Sequence, residues 1–313
     1  MKFVWTLSRP TIGLLILSLF CSAIQPAYTQ ERVKQTEKSG ETYLGPDQKS
    51  RYNLSPDYRS PYSVSFSFPI DKLLAPDTIP PRDSPRLESK TPHEDWYSSR
   101  ILHKYGAWGP EPLRFPPPYE GFEFSNADPQ WMRERLVAVA LKYVGLPYQH
   151  HHIPDWDPPS HWPWKEVAYG RNSRGVDCSD FTSWVYNYGL GIKITSDVHK
   201  QAEAESASAP GRDGRLPIEV ISNKYGYEDL VKRLRTGDLL YIKKKSADKV
   251  SHVIMWVGSI GRSPDGTPLV IDSTGSNHKD SNGVTIPIGI HLRPFTKDSW
   301  YFQSLSHAHR IIP

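Results

Sequence analysis

The spacing of apolar and polar positions changes along this chain, and the changes divide it. Residues 12–20 are one short apolar run behind Lys2 and Arg9. From residue 30 to about 125 no helical period holds. This stretch carries roughly half of the 29 prolines, which lack a backbone donor and block helix interiors. Val64, Phe66, Phe68 and Ile70 alternate within it as one short strand would. From Asp128 onward the pattern becomes regular. Asp128 reads as an N-cap and Pro129 as a first helical residue, with Met132, Leu136, Val139 and Tyr143 marking a buried face. Gly145 and Pro147 end that helix. Phe181, Trp184, Val185 and Tyr188 mark a second helix that stops near Gly189 and Gly191. Shorter helices are expected over 198–205 and 227–234. Strands then dominate, at 239–242, 253–257, 269–272, 286–292 and 308–312. Helices followed by an antiparallel sheet predict an α+β domain.

Composition adds location. The opening charges, the short apolar run and the small residues near Ala27 and Thr29 read as a secretory signal peptide over residues 1–29. No later segment is long and apolar enough to span a bilayer. A lipid anchor on Cys21 is disfavoured, because the bulky Phe20 precedes it. The chain therefore divides into a signal peptide (1–29), a proline-rich, partly disordered arm (30–125) and a compact domain (126–313). Trp96, Tyr105, Trp108, Phe115 and Tyr119 are expected to dock the later half of the arm on that domain. A formal net charge of +4 suits an exported protein near anionic polymers and gives no ground for nucleic-acid binding. Lys243, Lys244 and Lys245 lie shortly before His252, where they could act on acidic substrates.

The candidate chemistry starts from cysteine. The chain has two, and Cys21 falls in the signal peptide, so Cys178 has no partner for an internal disulfide. Its place in the first turn of the second helix favours a thiolate, through unpaired N–H groups and the helix dipole. His252, at the start of a strand, is the candidate general base. Asp272, on a returning strand roughly opposite, is the candidate group that fixes the imidazole, a contact an asparagine could keep. His150, His151 and His152 raise a metal reading, with Asp155, Asp157 and His161 nearby. Adjacent side chains of an extended segment point opposite ways, so a polar rim is the better reading, with no metal or cofactor. His307 and His309 read as structural or surface residues.

In this order the motifs resemble the NlpC-type cell-wall cysteine peptidases, a papain-like family. Gly145-Leu146-Pro147-Tyr148 looks like the segment after the family's first helix. Val176-Asp177-Cys178-Ser179 looks like its nucleophile motif, Thr236-Gly237-Asp238-Leu239 like the start of its sheet, and His252 to Gly258 like its histidine strand. The resemblance implies Cys178 as nucleophile, His252 as base and Tyr148 bordering the nucleophile. It also implies Asp177 and Ser179 in the substrate groove and the Cys178 N–H in the oxyanion hole. Implied with these is an exported thiol hydrolase, in the periplasm or cell wall, acting on peptidoglycan stem peptides, often between D-glutamate and a diamino acid. Asp180 stands where glycine is usual and Trp256 where tyrosine is frequent. An amidase or acyltransferase on the same fold is the alternative, and a noncatalytic wall-binding module the third reading.

Overall fold

The computed structural model describes residues 42–43, 57–74, 91, 95, 98–105, 110, 112–149, 175–210 and 214–313. The expected signal peptide with Cys21, the His150–His152 run with Asp155, Asp157 and His161, and Trp96 and Trp108 lie outside the described residues.

The elements run β1 (Thr42–Tyr43), β2 (Ser63–Ser65), α1 (Ile70–Leu74), α2 (Ser99–Tyr105), α3 (Pro129–Leu141), α4 (Cys178–Leu190) and α5 (Val198–Ala202). Then follow β3 (Ser206–Ser208), β4 (Arg215–Pro217), β5 (Glu219–Ser222), α6 (Tyr227–Arg233), β6 (Leu239–Ile242), β7 (His252–Trp256) and β8 (Gly261–Arg262). The chain closes with β9 (Leu269–Thr274), β10 (His278–Lys279), β11 (Thr285–Ile286), β12 (Gly289–Pro294), α7 (Trp300–Gln303) and β13 (Leu305–Arg310).

Six strands form one antiparallel sheet in the order β12-β9-β7-β6-β13-β5. The fold is α+β, with helices packed on this sheet. In β7, Val253 and Met255 join the core shared with α3 and α4, while Ile254 and Trp256 join Leu230, Phe295 and Tyr301 on the other face. Both faces are therefore covered, and β6, β7 and β9 are buried at every position. An antiparallel sheet with one wet face would alternate instead.

The caps act as the sequence predicts. The Asp128 carboxylate accepts from Gln130 N–H at 2.8 Å, and Gly191 closes α4 in the left-handed region at φ 68°. The expected one-sided burial of α3 does not hold, since every residue from Met132 to Leu141 is buried. The second face is covered by residues 62–74, with Tyr62, Val64, Phe66 and Leu73 in the same core. The buried Glu134 carboxylate accepts from Ser67 N–H at 2.9 Å, Phe68 N–H at 3.1 Å and the Ser67 hydroxyl. Arg135 donates to Gly189 O at 2.6 Å and to Leu73 O. The strand expected through Ile70 is shorter than its alternation suggests. Pro69 offers no ladder donor, and Ile70 opens α1 instead. Farther on, Phe115 seats edge-on against Trp184 at 5.2 Å and Tyr188 at 5.3 Å. Among the described residues no helix is long and apolar enough to cross a membrane.

Candidate active site

Cys178 is the first residue of α4. Asp177 caps it, its carboxylate accepting from Ser179 N–H at 3.1 Å and Asp180 N–H at 2.9 Å. The chain before the cap is held by close backbone contact. Tyr148 and Val176 form a parallel bridge, and a Cβ on Gly175 or Gly289 would run into the carbonyl oxygens of Pro147 or Leu146. Ser273 Oγ adds a hydrogen bond to Val176 O at 2.7 Å, tying this approach to β9. Tyr148, Cys178 and β9 thus meet at one end of the sheet.

The backbone N–H of Val253, the residue directly after His252, faces the sulfur and favours its ionised form. His252 is buried, and its Nε2 lies 2.8 Å from Asp272 Oδ2. A carboxylate only accepts, so Nε2 carries the proton and Nδ1 presents a lone pair. The two residues are on neighbouring strands but not opposite each other. The register pairing Met255 with Ile271 sets Asp272 one diagonal step from His252 on the same face.

Asp272 is fully buried and has two further donors that the sequence reading missed. Arg293 Nε reaches Oδ1 at 2.8 Å, and Tyr301 Oη reaches Oδ2 at 2.8 Å. Burial alone would raise the Asp272 pKa. The Arg293 charge and the His252 contact outweigh it and bring the carboxyl down to about 2. Arg293 follows His291 in an alternation that resembles a wet sheet face, and nothing local marks the short helix α7 that covers it. His278 stacks on the Tyr301 ring with centroids 4.8 Å apart, its Nε2 3.3 Å from the hydroxyl. Burial and then the Arg293 charge lower its pKa to about 4.

The thiol differs from expectation. Burial pushes the Cys178 pKa well up, and the Asp177, Asp272 and Asp180 charges add to it, against the opposing pull of the Val253 N–H. The helix-start donors that were to favour a thiolate are partly occupied by the Asp177 carboxylate, which brings its own negative charge. Burial and these charges both favour the thiol over the thiolate.

An open cleft of about 500 Å³ borders His252 and is lined by Tyr148, Lys244, Thr274, His278 and Trp300 among others, with Cys178 and Asp272 buried behind its wall. Lys244 alone of the three-lysine run lines it. Asp177 and Ser179 turn inward, Ser179 Oγ lying 3.3 Å from the Asp177 carboxylate, and both are buried. Their contacts are those of a helix start. His307 and His309 pack against the Tyr241 ring, away from the cleft.

Residues 165–284 match the model of the NlpC/P60 family, a span that contains Cys178, His252 and Asp272 and ends before Arg293 and Tyr301. Among solved structures the chain is similar to an NlpC/P60 family protein from Bacillus cereus ATCC 10987, at 21% identity over 58% of this chain and 40% of that one, with a TM-score of 0.31. It is also similar to the NlpC/p60 domain of the peptidoglycan hydrolase SagA, at 20% identity over 56% of this chain and 96% of that one, with a TM-score of 0.29. No curated protein sequence matches.

Proposed function

Starting from its NlpC/P60 family domain, we propose that this chain is an exported cysteine peptidase that hydrolyses amide bonds in peptidoglycan stem peptides. Members of the family are typically cell-wall peptidoglycan hydrolases. The observation that carries the reading is the His252 ring held through Nε2 by the buried Asp272 carboxylate, with Cys178 at the start of α4 beside the strand that carries the histidine.

The chemistry runs in two halves. His252 Nδ1 takes the thiol proton as Sγ attacks the amide carbon, so a thiol at rest suffices. The Cys178 N–H, which has no partner among the described residues, stabilises the oxyanion. Collapse expels the amine with the proton from His252 and leaves a thioester on Cys178. Water, deprotonated by the same nitrogen, then releases the acid. Tyr148 and the cleft residues hold the stem peptide, and the bond between D-glutamate and the following diamino acid is the proposed target. The signal peptide expected over residues 1–29 supports export to the periplasm or cell wall.

The test is mass analysis of soluble fragments after incubation with purified peptidoglycan. New amine and acid ends should appear with the parent protein and be absent with Cys178→Ala. A folded Cys178→Ala protein that cleaves at the parent rate would overturn the cysteine mechanism.

A further inference from the structure

Asp272 Oδ2 is shared by two donors, and only one of them is the histidine. Tyr301 is fully buried and its pKa is raised well above the ordinary value, by burial first and then the Asp272 charge, so its hydroxyl keeps its proton. That single proton is committed to the carboxylate. The oxygen can therefore only accept from His278, which fixes the proton of His278 on Nε2. Arg293 occupies the other carboxylate oxygen and anchors through Nη2 to Pro287 O at 2.9 Å and Gly289 O at 3.1 Å. A carboxylate divided among three donors attracts each less than it would attract one alone.

We infer that Tyr301 and Arg293 are positioning residues that limit how strongly Asp272 stabilises the His252 imidazolium, and so how readily Cys178 gives up its proton. This rests on the reading of Cys178 and His252 as nucleophile and base, and on nothing about the bond cleaved. The other titratable groups around the pair are Asp177 capping α4, Asp180 in its first turn, Lys244 and Tyr148 at the cleft, His278 on β10 and His291 on β12. Of these, none donates to Asp272. Tyr301 and Arg293 do, from elements beyond the family match.

Alkylation of Cys178 by iodoacetamide tests this without peptidoglycan. The Sγ–carbon bond forms as iodide leaves, and the thiol proton passes to His252. Tyr301→Phe keeps the ring and withdraws one donor from Oδ2, leaving the carboxylate a stronger partner for the imidazolium. Alkylation at pH 7 should then rise about threefold or more, with its acid limb moved to higher pH. Tyr227→Phe removes a comparable hydroxyl bond, 2.6 Å to Phe295 O, and should leave both unchanged. Arg293→Lys, which takes Nε off Oδ1, should act in the same direction as Tyr301→Phe and decides the matter if that variant does not fold. An unchanged or slower rate in a folded Tyr301→Phe protein overturns the inference. So does a faster rate without the acid-limb shift, which reports loosened packing. Failure to cleave peptidoglycan would overturn the proposed function and leave the alkylation result standing.

Discussion

Asparagine at position 272 probes the centre of the site. The carboxylate accepts Arg293 Nε on Oδ1 and both His252 Nε2 and Tyr301 Oη on Oδ2, each at 2.8 Å. Asparagine offers one acceptor oxygen and one NH₂ group, so in either orientation a donor faces a donor. Turned toward Arg293, the NH₂ meets a guanidinium that is fully buried and has lost its counterion. Removing one partner of a buried pair costs about 3–5 kcal/mol. For a folded unit of this size that lowers the melting midpoint by roughly 10 °C. Turned toward His252, the NH₂ forces Nε2 to accept, places the ring proton on Nδ1 and removes the lone pair that Cys178 needs. Turnover should fall on the order of 10³-fold or more. The sequence alone suggests that asparagine keeps the orienting contact and is milder than alanine. The shared carboxylate reverses that order, because alanine presents no opposing donor and leaves room for water. Thermal unfolding and peptidoglycan release should be measured for the parent, Asp272→Asn, Asp272→Ala, Arg293→Met and the Asp272→Asn/Arg293→Met pair. The paired variant should recover about 2 kcal/mol relative to the sum of the singles. An Asp272→Asn protein that melts within about 2 °C of the parent and retains most of its activity would refute the reasoning.

The native Asp272 pKa of about 2 lies below the unfolded value, so its contribution of about 2–3 kcal/mol is present above pH ~4 and is lost as pH falls through about 2. Denaturant midpoints at several acid pH values should show this loss in the parent, and a parallel curve for Asp272→Ala would contradict it. Gly175→Ala places a methyl group against Pro147 O beside the Tyr148–Val176 bridge. It should cost about 1–3 kcal/mol and most of the activity, read by melting and fragment release. Glu134→Ala strips acceptors from Ser67 N–H and Phe68 N–H and should destabilise by about 2–4 kcal/mol. Proteolysis within residues 62–74 should then become faster than in the parent, and an unchanged cleavage pattern would argue against Glu134 holding that segment on α3.

Much of the fold was legible because its signals are local. Asp128, Pro129, Gly191 and the apolar periods of α3, α4, β6 and β7 depend on neighbours within a few residues, and local sterics and caps fix them. Cys178 and His252 stood out for the same reason, each next to a recognisable helix or strand start. Asp272 was found as a partner from the hairpin that returns to β7, although its diagonal offset was not.

The remainder depended on long-range packing. That α3 is buried on all sides follows from residues 62–74 lying across it, far away in sequence. Asp177 and Ser179 read as groove residues, yet their contacts became clear only once the α4 start was surrounded. The thiol was expected to ionise readily from its helix position, but burial and three nearby carboxylates reverse the direction. Arg293 and Tyr301 carry no local mark of their role, because β12 must pair with β9 to bring Arg293 to Asp272, and α7 must fold over that end of the sheet to bring Tyr301. The sequence determined by itself which residues could do the chemistry and on which elements they sit. Only the tertiary structure decided their ionisation and partners, since charge, desolvation and shared hydrogen bonds depend on distances the linear chain does not contain.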